Sequence, residues 1–253
     1  STVIVQAQWW DYRHGAVPAV SRKVYLLDLK TRRMRIDDLT EESVALYDGL
    51  VWRVFVKDRE MVKPAVANDK NIGYFAMFEY AAGEMRCFRL MFGLPFTLLA
   101  DGTLLSDAGR VQALTGNLTW DVVQVNFDPN RTGFLHTDRM LVYCDPLRHL
   151  VDRVFLEMSD SPFYAISHWG EWSDYRRLPN GLLLAHRWDF RITDEKGGAD
   201  LGRKLTIVFD RVAFDVPLPA GVFSDPKVAL PPIPPPSPPP AVKRLGEDVV
   251  GTK

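Results

Sequence analysis

The residues with most chemical reach are five histidines, His14, His136, His149, His168 and His186. His136 and Asp138 are two apart, and alternate side chains of an extended strand share a face. Such an imidazole–carboxylate pair can act as a general base, and with His168 it would outline a hydrolase-type site. His168 and Glu171 face opposite sides of a strand unless Gly170 forms a bulge. His168 and His186 meet across the Asn180-Gly181 turn only in one register, which the sequence does not specify. The plainer reading of each histidine is a surface or hydrogen-bonded side chain, and no cofactor is implied. Asp145 before Pro146, Asp174 beside Tyr175 and Asp210 at a strand end read as turn or edge residues before they read as catalysts.

The two cysteines, Cys87 and Cys144, form no C-x-x-C pair and have no histidine at zinc spacing. Free buried thiols are the default, with a single disulfide left open for an oxidising compartment. The chain also lacks G-x-S-x-G, G-x-x-x-x-G-K, H-E-x-x-H and G-x-G-x-x-G. Nucleophilic hydrolysis, nucleotide chemistry and the commoner metal hydrolyses therefore lose their usual support, and the expectation is a protein that is not an enzyme. Thirty-one Lys plus Arg against thirty-two Asp plus Glu give a net charge of −1, so a nucleic-acid partner is not expected. The local basic cluster Lys30, Arg32, Arg33 and Arg35 alternates with Met34 and Ile36, as a solvated strand face does.

The elements that must carry these residues are mostly strands. Thr2 to Tyr12, Arg22 to Leu29, Arg32 to Asp37, Ser43 to Tyr47 and Leu50 to Val56 read as a meander, with Asp48-Gly49 suited to a tight hairpin turn. From Asp69 to Phe92 the period changes: Ile72, Phe75, Ala76, Phe78, Met85, Phe88, Met91 and Phe92 recur at helical spacing. Asn68 or Asp69 would cap this helix, Gly83 would weaken or kink it, and Gly93 with Pro95 would end it. Strands return at Trp120 to Phe127, Arg139 to Cys144, Leu150 to Met158, Phe163 to Trp172, Leu182 to Ile192 and Lys204 to Phe214. The expected class is α+β: a curved antiparallel sheet, or incomplete β-barrel, wrapping one main helical segment. Pro231 to Pro240 admits only polyproline II, so 1–226 is expected to form a single domain and 227–253 an extended tail, a spacer more than a docking site. No run approaches the roughly 18–20 apolar residues of a membrane span. The chain opens directly on a strand-like run, which leaves room for a leader ahead of this numbering.

Several short stretches carry a further signal: Tyr47-Asp48-Gly49-Leu50-Val51-Trp52, Leu94-Pro95-Phe96 with Asp101-Gly102, and Met140-Leu141-Val142-Tyr143-Cys144-Asp145-Pro146. Asp174-Tyr175-Arg176, Asn180-Gly181-Leu182-Leu183-Leu184-Ala185-His186 and the run from Val216 to Pro226 complete the set, which spans residues 43 to 226. In their order and spacing these stretches resemble the outer-membrane lipoprotein carrier fold (LolA/LolB-like), and within it an uncharacterised bacterial envelope family. The resemblance implies an incomplete barrel around a helix with an apolar cavity between them, in a periplasmic or outer-membrane-associated protein that handles acyl chains or lipoproteins. The proline tail departs from that pattern, and so does the missing helix before the first strand.

The functional expectation is binding or carriage of a lipid, acyl chain or lipoprotein by burial of methylenes, with an envelope protein as a further partner. The expected cavity wall is Phe75, Phe78, Met85, Phe88, Met91, Phe92 and Phe96 from the helical segment, with Trp52 and Trp120 from the sheet. Plain core packing competes with that role at each position. Trp9, Trp10, Trp169, Trp172 and Trp188 also lie on expected strands, where they either pack or line a cavity. The alternative function is a structural or interaction module with a filled core, working through its proline-rich tail or a sheet edge.

Overall fold

The computed structural model describes residues 2–12, 17–64, 72–99, 101–112, 118–132, 138–157, 168–193 and 199–233. The chain begins with six strands: β1 (Thr2–Asp11), β2 (Ala19–Asp28), β3 (Arg33–Asp38), β4 (Ser43–Tyr47), β5 (Trp52–Val56) and β6 (Arg59–Met61). A helix, α1 (Ile72–Phe92), and a short 3-10 turn, Phe96–Leu99, follow. The second half holds β7 (Thr103–Gln112), β8 (Thr119–Phe127), a four-residue α2 (Pro129–Thr132), β9 (Arg139–Asp145) and β10 (Leu150–Glu157). It ends with β11 (His168–Arg177), β12 (Leu183–Thr193) and β13 (Ala199–Phe214).

All thirteen strands form one open antiparallel sheet in the order β6-β5-β4-β3-β2-β1-β13-β12-β11-β10-β9-β8-β7. Each half is a meander, and the first strand joins the last through the register Val3↔Phe214 to Asp11↔Leu205. The chain therefore leaves one edge at β6, passes through α1, and re-enters at the opposite edge with β7.

Four hairpins are closed by the same device. Asp28, Asp38, Asp48 and Asp145 stand at strand ends, and each carboxylate accepts the backbone N–H groups two and three residues on. An aspartate can do this because its short side chain mimics the turn's own carbonyl. At Asp48 the turn also uses Gly49 at φ +106°, as the Asp48-Gly49 pair led one to expect.

Alternation sorts side chains onto two faces. Val3, Val5 and Ala7 of β1 join the main core on the helix side, while Ile4 joins a second cluster on the outer face. The helix runs unbroken through Gly83 and stops after Phe92, where Gly93 and Leu94 still donate back to Arg89 and Met91. The expected caps Asn68 and Asp69 lie outside the described residues.

The outer face over β1 and β2 is covered by the segment after β13. Val216, Val222 and Phe223 bury themselves on Ile4, Val24 and Leu26, and Val228, Leu230 and Ile233 extend the cover past Pro226. Arg35 makes the most bonds to this strap, and Thr2 and Arg53 add one each, to Val216 O at 2.7 Å and Ser224 O at 2.8 Å. Arg35 of β3 is 3% exposed and donates to the carbonyl oxygens of Val222 (3.2 Å), Pro226 (3.0 Å) and Val228 (2.8 Å). Its charge is met by Asp37 through two bonds of 2.5 and 2.8 Å. A guanidinium suits the place because it carries five donors in a rigid fork.

Removing Arg35 leaves the part-buried Asp37 carboxylate and several carbonyls without their donor, a loss of about 3 kcal/mol. Arg35→Met is expected to lower the unfolding midpoint by about 10 °C and to open residues 216–233 to protease. The exposed Arg110–Asp121 pair is the control, since Arg110→Met should shift the midpoint by no more than about 2 °C. Calorimetry with limited proteolysis checks both.

Candidate functional site

The largest concentration of aromatic surface lies between α1 and the sheet. Met85, Phe88 and Phe92 recur at three and four residues, which puts them on one stripe of the helix. Phe88 stacks on Tyr25 of β2 with ring centroids 3.8 Å apart and planes within 3°. It also meets Trp188 of β12 at 5.6 Å and Phe209 of β13 at 5.9 Å. Phe92, one turn on, meets Phe209 at 5.8 Å and Phe214 at 6.4 Å. Trp172 and Phe190 continue the layer from Trp188 toward β11. Gly170 makes room there: a Cβ on it would stand 2.4 Å from the Trp172 ring and 2.8 Å from the Phe190 ring.

A polar clamp sits inside this apolar layer. Glu84 belongs to the same helical stripe, one turn before Phe88. Its carboxylate accepts from the Tyr25 hydroxyl at 2.5 Å and from the Lys23 ammonium at 2.7 Å. Lys23 also reaches Asp38 at 3.5 Å and lies 4.6 Å from the centre of the Trp9 ring. Burial by itself would lower the Lys23 pKa, but Glu84 and Asp38 hold the ammonium and the net shift is upward. Burial pushes the Tyr25 hydroxyl well above its ordinary range, and the Glu84 charge pushes the same way.

The expected wall residues divide. Phe78, Met85, Phe88, Met91 and Phe92 are all buried in the main core. Trp52 is half-buried, stacks on Tyr47 at 4.2 Å and packs at the margin of that core. The side chains of Phe75 and Phe96 lie outside the described residues. Trp120 goes to the other face: it clusters with Val122 and Tyr143, donates to Asp152 at 3.1 Å and lies under Arg153. Alternation along β8 is the reason, since Val123, Val125 and Phe127 take the helix side. The residues missed were Lys23, Tyr25, Glu84 and Phe209. Glu84 had a signal, a lone acid within an apolar stripe, which calls for a buried cation or donor.

The other candidates do not converge into a hydrolase-type site among the described residues. His14 and His136 lie outside them, and Asp138 is fully buried just before β9. His168 pairs with Leu156 on β10, which pairs with Met140 on β9, so its backbone stands two strands from the β9 segment that follows Asp138. Register also parts His168 from His186: His168 faces Ile192, while His186 lies between Ala185, opposite Tyr175, and Arg187, opposite Ser173. No bulge at Gly170 rotates Glu171 toward His168, because the pairing runs in step through both. His186 is buried, donates Nδ1–H to Leu184 O at 3.0 Å, and burial lowers its pKa. Cys87 and Cys144 are not joined as a disulfide, and burial raises the Cys144 pKa, so thiolate is disfavoured there. Asp145 is held well below the usual carboxylate range by the Arg148 side chain and backbone donors, as a turn residue would be. Among the described residues no His, Cys, Asp and Glu cluster could hold a metal, and no helix is long and apolar enough to cross a membrane.

The clamp yields a pH prediction. Tyr25 has a folded pKa above its unfolded value of about 10, so its contribution is whole below that pH and declines as pH rises beyond it. Tyr25→Phe should cost about 2 kcal/mol at about pH 8, where the hydroxyl serves a charged acceptor. That deficit should shrink by about 1.4 kcal/mol at about pH 11. Urea unfolding at the two pH values checks it, and a constant deficit would contradict the clamp.

No family model and no curated protein sequence matches this chain. Solved structures do. A LolA superfamily protein from Nitrosomonas europaea superposes with a TM-score of 0.57 at 8% identity, covering 89% of this chain and 90% of that one. A DUF1329 family protein from Desulfovibrio piger gives 0.53 at 10% identity, covering 88% and 89%. An outer membrane lipoprotein-sorting protein domain from Vibrio parahaemolyticus gives 0.51 at 7% identity, covering 88% and 89%. Identities this low speak for the fold alone. The chain folds as the LolA superfamily does.

Proposed function

We propose that this protein binds or carries a lipid, an acyl chain or the acyl chains of a lipoprotein between α1 and the sheet, in the bacterial envelope, as a periplasmic or outer-membrane-associated protein. The sheet acts as an incomplete barrel bent around the helix. Two observations support the bend. Phe88 and Leu90 point about 160° apart around a helix of 3.6 residues per turn, yet both are buried in one core. That core also joins Val54 of β5 to Phe127 of β8, strands about 48 Å apart in a flat sheet, whereas α1 is about 32 Å long.

The single observation that carries the functional reading is the character of the helix-side face. It is a continuous aromatic and Met-rich layer, with its polar groups gathered at the Glu84 clamp. Aromatic rings and methionines make adaptable contact with alkyl chains, and few convergent polar groups are what a hydrophobic ligand site needs. Binding of this kind needs no covalent chemistry and no cofactor. The likeness to a lipoprotein-sorting domain supports the same assignment. The alternative, an interaction module, has one observation in its favour: β7 is a ten-residue edge strand exposed along nearly its whole length.

Delipidated protein is expected to bind saturated fatty acids carrying a dansyl reporter, with each two added methylenes tightening binding by about tenfold until the site is full. Phe92→Arg should abolish binding. Fluorescence titration over a chain-length series reads this out, and affinity independent of chain length would refute the carrier reading.

A further inference from the structure

One row of side chains crosses four strands, β1, β13, β12 and β11, on the helix side of the sheet. Trp9 pairs with Ile207, Ile207 with Trp188, and Trp188 with Trp172. Trp188 is 1% exposed and lies against Phe209 at 4.6 Å, Trp172 at 5.5 Å and Phe88 at 5.6 Å. Its indole Nε1–H has no hydrogen-bond acceptor among the described residues. The Nε1–H of Trp9 is also buried, and it has the Tyr25 oxygen beside it. Buried donors are nearly always satisfied, so a donor left open in the middle of a core marks either a strain or a partner that comes and goes.

We propose that the Trp188 indole N–H is the donor for the carbonyl oxygen of a fatty-acyl ester, which makes the guest an ester-linked lipid in preference to a plain hydrocarbon. The inference rests on the carrier reading above and deepens it. The chemistry narrows the choice. A hydrocarbon has no acceptor to offer. A carboxylate would need a cation to offset its desolvation, and Lys23, over Trp9, is already paired with Glu84 and Asp38. A neutral carbonyl satisfies the indole without bringing in charge. The guest reaches Trp188 by taking the place of the Phe88 and Phe92 rings, which fill the row in the closed state. The open donor thus belongs to a conformation that has plugged its own site.

The test compares 1-monolauroylglycerol with 1-O-dodecylglycerol, which share headgroup and chain length and differ in the carbonyl. Wild-type protein should bind the ester about fivefold more tightly, the size of one neutral hydrogen bond to a buried donor. Trp188→Phe should erase that preference, and Trp120→Phe, on the outer face, should keep it. Should Trp188→Phe fail to fold, the Trp188 indole N–H proton resonance of the wild type serves instead: it moves downfield with the ester and stays in place with the ether. Equal affinity for the two probes, a preference that survives Trp188→Phe, or an indole resonance that ignores the ester overturns the inference and leaves the carrier reading standing. Binding of neither probe defeats the carrier reading itself.

Discussion

The seating of Phe88 on Tyr25, with Glu84 clamped by the Tyr25 hydroxyl and Lys23 one turn earlier, is the contact on which the molecule depends. A sheet of thirteen strands has two faces to cover, and among the described residues a single long helix is there to do it. Without α1, the apolar side of β1, β2, β12 and β13 would face water over an area far beyond what a soluble surface carries. Stacked rings supply burial and about 0.5–1.5 kcal/mol beyond it. They do not fix how far the helix slides along its seat. A carboxylate with two donors at set positions does, because its bonds are lost within an ångström or so of displacement.

The outer face is handled by different means. There the chain after β13 lies across Ile4, Val24 and Leu26, and a strap without regular structure exposes backbone carbonyls that need donors. Arg35 meets that need from β3. The two faces thus carry opposite solutions: an arginine binding backbone on the outside, a glutamate binding side chains on the inside. The outer contact closes the N-terminal meander onto the C-terminal strand and has no vacancy in its bonding. The inner one leaves the Trp188 indole open. That asymmetry is why the proposed site lies on the helix side.

Much of the fold was legible in local pattern. Alternation found β1 to β5, β8 to β10, β12 and β13 to within a few residues, and helical spacing found α1. The failures have physical causes. β6 is only three residues long, and β7 is exposed on both faces, so neither shows the alternation that burial imposes. β11 runs on through Asp174, whose φ of +53° and polar neighbours read as a turn. The pairing of β1 with β13 brings together segments some 200 residues apart, and nothing local encodes it. The site was half legible. The apolar stripe from Phe78 to Phe92 announced itself, but the face taken by Trp120 depended on a strand register that only the assembled sheet sets.

The carrier reading requires that α1 lift from its aromatic floor while the sheet stays folded. Native-state hydrogen exchange tests it most directly. Amides from Phe78 to Phe92 should exchange through a local opening of lower free energy than those of β1 and β13. An acyl probe should change the protection of that helix and leave the outer strands as they were. If α1 exchanges only when the whole sheet unfolds, with or without the probe, it is a permanent part of the core and the account is wrong.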